Sequence, residues 1–268
     1  MRSLEKAVEL LKRLAADDGE HAISVLAAEI GLPPSTAYRI AATFERAGLV
    51  IRLHRGHYLL GPTLLGLAKP GSLNRLIAGV GQSIVQTVAK RTRCTAHLGV
   101  FEGGMVTYLL KVGAGKARVF TREGTQLEAY CTGIGKVLLA ALPESELEEY
   151  LRNGPFIRLT AKTLTDPCAL RAALAAVRAQ GYATDDEEMD SGLRCLAVPV
   201  RDSAGSAIAA LSIATRQADD LLAHLPRLLE AATALTQRVM GSGSSARPRA
   251  VRHKPPFSHR SAGQRSTR

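Results

Sequence analysis

The sequence predicts an α+β protein in two parts, an N-terminal winged helix-turn-helix and a larger domain of mixed sheet and helix behind it. Three observations predict this. Residues 3–60 hold three short apolar stripes at helical spacing, followed by a basic hairpin. Beyond residue 93, strand-like runs around glycine turns alternate with helical runs, the pattern of an antiparallel sheet with helices packed on it. Between the two, GPTLLGLAKPGS at 61–72 breaks the pattern and marks a boundary. The expected organisation is a winged helix-turn-helix at 1–70, a linker helix at 71–92, a second domain at 93–240 and a disordered basic tail at 241–268.

Taken in order, Leu4, Ala7, Val8, Leu11 and Leu14 form the stripe of a first helix over 3–16. A second helix fits 22–30, with Ile23, Leu26, Ala27 and Ile30 facing inward. Gly31-Leu32-Pro33 is a tight break. The third helix runs from Pro34, where a missing N–H costs nothing, to Ala47, and Gly48 stops it. Strand-like Leu49–Leu53 and Tyr58–Leu60 flank His54-Arg55-Gly56-His57. A helix is expected over 73–90, then strands near 95–101, 105–112 and 117–121. Helices are expected near 134–141, 144–152 and 167–180, the last with Asp166 before Pro167 and Gly181 at its end. Strands near 194–201 and 206–214 flank Asp202-Ser203-Ala204-Gly205, and a final helical region covers 218–239. No internal repeat is present.

Composition narrows the function classes. With no tryptophan and only 4% aromatic residues, the core must rest on Leu, Val, Ile and Ala. No run approaches the ~20 apolar residues of a membrane span. The charged start MRSLEKAVELLKRLA lacks a signal-peptide apolar stretch. A cytoplasmic protein without a membrane partner is expected. Cys94, Cys131, Cys168 and Cys195 are far apart and form no C-x-x-C pair, so reduced thiols are expected, with no metal site and no cofactor. The net charge is +11, yet residues 1–70 carry nine basic and seven acidic side chains, and the tail carries seven basic and none acidic. Most of the excess belongs to the tail, so charge alone does not identify a DNA-binding domain.

In the third helix Ala37, Ile40, Ala41 and Phe44 make the stripe to be buried, which leaves polar residues outward. The candidate DNA contacts are Ser35, Thr36, Tyr38, Arg39 and Thr43 on that helix, with Arg52 and Arg55 in the wing. Arginine can reach guanine O6 and N7 in a bidentate fashion, and Ser and Thr can meet phosphate or bases. Arg46 reads equally as a solvated cation at the helix end. The plainer alternative is two packed helices with charged outer faces, which the hairpin and the GLPPSTAYR turn disfavour.

AAEIGLPPSTAYRIAATFERAGLV, the hairpin and LGPTLLGLA resemble the isocitrate lyase regulator (IclR) family, as do GIGKVLLA at 133–140 and GYATDDEEMDSGLRCLAVPVRDSAGSAIAALSIA at 181–214. The resemblance covers residues 3–239. It implies a winged-helix transcription regulator whose second domain is a GAF-like effector-binding fold. It also implies a homodimer or homotetramer on double-stranded DNA, with an operator of approximate two-fold symmetry. Carried over by motif, the residues holding a small organic effector would be Gly133, Ile134, Asp185, Cys195 and Ser212. Relatives that bind small carboxylates carry serine where this chain has Ala214, and residues 125–132 (TQLEAYCT) also depart from the pattern. Both departures suggest a larger or aromatic ligand.

The residues themselves leave alternatives open. Asp186, Glu187 and Glu188 read as a solvated charge run, and Cys195 as a small core residue. Gly133-Ile134-Gly135-Lys136 opens a helix whose free amides could hold an anion, or is merely a tight helix entry. An enzyme using Cys195 as nucleophile with Asp185 and His97 is a competing reading, and a DNA-binding architectural module with a degenerate pocket is another. A phosphate-binding loop at Gly135-Lys136 fails because Tyr130 and Val137 stand where Gly and Ser or Thr are needed.

Overall fold

The computed structural model describes residues 2–67, 71–113, 119–217 and 220–240. The tail expected at 241–268 lies outside the described residues, as do the first two residues of the final helical region. The chain divides into two compact units, the first ending at Leu76.

The first unit contains α1 (Arg2–Asp17), α2 (Ile23–Glu29), α3 (Pro34–Arg46), the antiparallel pair β1 (Val50–His54) and β2 (His57–Leu60), and α4 (Pro62–Leu67). Its core is Leu10, Leu14, Ile23, Leu26, Leu32, Val50 and Tyr58, closed over the alanines Ala27, Ala37 and Ala41. Alanine at those three positions lets the helices approach with only methyl groups between them. Ile40 and Phe44, expected in the buried stripe, are half-buried and pack against this core. Helix α4 falls within the stretch expected to be an irregular boundary. Pro62 opens it, and none of its residues is buried.

The second unit is a six-stranded antiparallel sheet in the order β5-β4-β3-β8-β7-β6. Helix α5 (Ser72–Thr92) leads into β3 (Thr95–Glu102) and β4 (Met105–Val112), which form a hairpin. After β5 (Gln126–Glu128) come α6 (Gly133–Ala140), α7 (Glu144–Arg152) and α8 (Pro167–Gln180). Then β6 (Ala183–Asp186), β7 (Arg194–Arg201), β8 (Ala207–Thr215) and α9 (Leu225–Met240) complete the unit, with a short 3-10 turn at Leu221–His224. Residues of α5 and α9 share one core cluster with Leu98, Val100, Leu196, Val198, Leu211 and Ile213. Residues of α6, α7 and α8 share another with Val106, Tyr108, Ala197 and Ala210. The observed fold is α+β, as the sequence predicts. Among the described residues no helix is long and apolar enough to cross a membrane.

Helix α8 ends as its sequence dictates. Asp166 caps its start by accepting from the Ala169 amide at 2.7 Å, and Gly181 stops it at φ +80°. Three strands depart from expectation, the first being β5, which forms where none is expected. The run expected as a strand at 117–121 is irregular from 119 to 121, and residues 117 and 118 lie outside the described residues. Residues Ala183–Asp186, where no strand is expected, form the edge strand β6 paired with β7.

Candidate DNA-reading helix and effector pocket

The turn between α2 and α3 is held from behind. Gly31 adopts φ +61°, which favours glycine, and its carbonyl accepts from Lys6 Nζ at 2.7 Å. Arg13 of α1 pairs with Glu29 of α2 at 2.8 Å. Helix α3 is thus fixed by one buried face, and the candidate DNA residues lie on the others. Ser35, Tyr38, Arg39 and Thr43 are exposed, and Thr36 is half-buried.

The candidates differ in what already occupies them. Among the described residues Arg39 and Arg55 form no ion pair, so both guanidinium groups are available. Arg52 pairs with Glu45 at 3.0 Å and stands 5.6 Å from the centre of the Tyr58 ring. Thr43 donates to the Arg39 carbonyl at 3.2 Å and accepts from Arg46 at the same distance. Tyr38 supports the wing: a Cβ added at Gly56 would lie 3.0 Å from its hydroxyl oxygen. The Gly56 carbonyl in turn accepts from the Ile23 amide at 2.7 Å. The wing turn is therefore tied to the start of α2 and braced by α3.

In the second unit the five candidate effector residues converge. Gly133, Ile134, Asp185, Cys195 and Ser212 line one cavity together with Ala214, beneath α6. Strand pairing explains the convergence. Register sets Ala183, Ala197, Ser212 and His97 in one row across β6, β7, β8 and β3, and Asp185, Cys195, Ala214 and Thr95 in the next row but one. Alternation along each strand puts both rows on the same face. Thr132 caps α6 by accepting from the Gly135 amide at 3.1 Å. Among the described residues the Gly133 and Ile134 amides meet no acceptor, which leaves two donors at the positive end of a helix.

Sequence reasoning missed several walls of this cavity. Tyr108, Leu127, Met189 and the segment 119–121 also line it. Met189 accompanies Cys131, whose sulfur lies 3.4 Å from its own. Lys111 holds the segment by donating to the Val119 carbonyl at 2.6 Å and the Thr121 carbonyl at 2.5 Å. His97 was visible in the sequence but not its placement. It faces Ser212 across the strand pair and meets Thr121 Oγ1 at 2.8 Å through Nε2.

The electrostatics separate these groups. Burial, aided by Lys111, drives the His97 pKa down to about 3, so the ring is neutral. Burial pushes Asp185 up to about 6, opposed by the Glu188 amide it accepts from at 2.8 Å and by Lys136. Cys195 is raised well above an ordinary thiol, first by burial and then by Asp185. That disfavours the nucleophile reading. The thiol keeps its proton, and the Nε2 of His97 is engaged with Thr121 rather than serving as its base. Glu188 corrects the solvated-run reading. It is buried and forms an ion pair with buried Lys136 of α6, while Asp186 is exposed and Glu187 half-buried.

Family models describe both units. Residues 3–53 match the IclR helix-turn-helix domain, and residues 73–240 match the bacterial transcriptional regulator IclR C-terminal domain. The chain is 34% identical over 248 residues to the HTH-type transcriptional regulator XynR of Escherichia coli K12, covering 90% of this chain and 98% of that one. Among solved structures, an IclR homolog from Microbacterium hydrocarbonoxydans complexed with 4-hydroxybenzoate is 28% identical, with TM-score 0.60 over 88% of this chain and 98% of that one. The Thermotoga maritima IclR is also 28% identical, with TM-score 0.56 over 89% and 97% of the two chains. These relatives are transcription regulators, and the match spans both the helix-turn-helix and the effector-binding part. The chain belongs to the IclR family of bacterial transcriptional regulators.

Proposed function

We propose that this regulator acts in the cytoplasm as a homodimer or homotetramer on a two-fold-symmetric operator, and that a small aromatic carboxylate alters its DNA affinity. In this reading residues 1–70 bind DNA, 71–92 link, and 93–240 sense the effector. The observation that carries it is the cavity under α6. Two unpaired amides, of Gly133 and Ile134, adjoin apolar walls from Tyr108, Leu127, Leu193 and Ala214. The amides suit a carboxylate, and the alanine at 214 favours a ring over a second polar contact. The Microbacterium relative was solved with 4-hydroxybenzoate, which makes that compound the first probe.

The free space between these walls is only about 20 Å³, whereas benzene needs a cavity of about 150 Å³. Binding therefore selects a more open arrangement. The half-buried Met189, with its unbranched side chain, is a part of the wall able to yield. Only a ligand that binds the two arrangements unequally shifts DNA affinity. Titrating operator-bound protein with 4-hydroxybenzoate, benzoate and pyruvate tests this. Release or tightening by the aromatic acids supports the reading, and a response to pyruvate alone refutes the aromatic assignment.

Two further outcomes are expected. Benzoate, ionised throughout the range, binds more weakly as pH rises from about 5 to about 7.5, because Asp185 ionises near 6 and places a second negative charge in the cavity. The fall is up to about tenfold by titration calorimetry, and Asp185→Asn flattens it. His97 and Cys195 keep their neutral forms across this range. On the DNA side, Arg39→Ala costs about 1–3 kcal/mol of specific binding if Arg39 reads a base edge. An unchanged ratio of specific to nonspecific affinity assigns Arg39 to the phosphate backbone instead.

A further inference from the structure

A second cavity in the same unit shares no lining residue with the effector pocket. It opens between the β3–β4 turn, the end of β5, α7 and the segment after α7, and encloses about 490 Å³. Three aromatic rings wall it. Tyr150 stands in the middle, 6.0 Å from Phe101 and 5.7 Å from Phe156 between ring centres. The turn opposite is Gly103-Gly104, both at positive φ. A Cβ on Gly104 would lie 3.9 Å from the Tyr150 ring, so glycine keeps the approach to the ring clear.

The charge around the rings has one sign. Glu128, Glu146 and Glu149 line the cavity, and among the described residues no lysine or arginine does. On α7 the contrast is sharp. Glu144 and Glu148, turned to α8, pair with Arg171, and Glu144 also pairs with Arg178. Glu146 and Glu149, turned to the cavity, form no ion pair among the described residues, and neither does Glu128. Tyr150 registers the same field, its phenol raised by burial and then by Glu128.

Unpaired carboxylates around an aromatic wall disfavour an anion, and a neutral apolar ligand would gain nothing from them. A small metal ion would gain nothing from the rings. The complement is a cation with a carbon surface, which the negative ring faces and the carboxylates attract together. We propose that this cavity binds a small organic cation of the alkylammonium or methylammonium class, independently of the effector pocket.

The test is titration calorimetry on the full chain with choline and tetramethylammonium at constant ionic strength. The comparator is 3,3-dimethylbutanol, choline's neutral isostere. Saturable binding of an ammonium compound is expected, with the neutral isostere about tenfold weaker or worse. Tyr150→Leu and Glu149→Gln should each weaken it about fivefold or more. Glu149 is exposed, so its variant keeps the test valid should Tyr150→Leu fail to fold. No saturable binding, equal binding of the neutral isostere, or undiminished binding to Glu149→Gln overturns the proposal. Binding that emerges only on truncation after Met240 would assign the cavity to the chain's own basic tail, and also overturns it.

Discussion

Lys136→Met is expected to lower the stability of the second unit by about 3–5 kcal/mol, a drop of roughly 6–20 °C in Tm. Methionine fits the volume and keeps the helix propensity, so the loss isolates the charge. Lys136 and Glu188 are both buried and form their ion pair inside the domain. With the ammonium gone, the Glu188 carboxylate is left in low dielectric, and its Oε2 already has no hydrogen-bond partner. It cannot swing away easily, because its backbone is pinned. Its amide donates to Asp185 at 2.8 Å and its carbonyl accepts from Thr163 at 2.7 Å. The double variant Lys136→Met with Glu188→Leu should recover most of the loss, since a buried pair replaced by apolar residues is often neutral. Denaturant unfolding of the parent protein and the two variants checks this. Equal losses in the single and double variants would show that the unpaired Glu188 charge is not what costs the stability.

This pair also shows where the sequence is readable and where it is not. The helix-turn-helix is legible because its signals are local: an apolar stripe, a glycine turn and Pro34 lie within one short window. Helix α4 was hidden by that same logic, since Gly61-Pro62 reads as a break and none of the helix's six residues is buried. Strand β6 was hidden because Asp185 and Asp186, half of its four residues, are poor strand formers on their own. Pairing with β7 makes them a strand, and pairing is a long-range fact. Glu188 read as solvated because nothing nearby in sequence answers its charge; Lys136, 52 residues away, does.

The cavity under α6 was half legible for a related reason. Gly133, Ile134, Asp185, Cys195 and Ser212 came from motif resemblance, and strand register explains why such distant residues meet. Tyr108 sits in an ordinary apolar strand pattern, Leu127 lies between Gln126 and Glu128, and Met189 is hidden inside an acidic run, so none of the three announces a pocket wall. His97 came up for a different reason, as the partner of an imagined nucleophile. Its row position beside Ser212 could not be known before β3 was paired with β8.

Gly135→Ala is expected to be the most disruptive single-methyl change in the second unit, at about 3 kcal/mol or more. A Cβ there would lie 2.1 Å from the Ala129 carbonyl oxygen and 2.3 Å from the Ala129 Cα. Both are backbone atoms and cannot rotate aside. Every residue of α6 is buried, so the helix has no free side toward which to shift. Gly133→Ala is the informative contrast. Its Cβ would meet the Ala197 Cβ at 3.4 Å and the Cys195 Cβ at 3.5 Å, ordinary contacts that cost under about 1 kcal/mol. That methyl group would nevertheless enter the cavity beside the two free amides and block an effector carboxylate. The glycine-rich entry to α6 had two readings, an anion site or a tight packing turn, and the two glycines divide them. Gly135 lets the helix start against Ala129, and Gly133 keeps space open over Cys195. Unfolding midpoints and effector response should therefore separate. Gly135→Ala should fail in stability, while Gly133→Ala should stay folded and lose its response to the aromatic acid. A Gly133→Ala variant with full response would move the carboxylate off the start of α6.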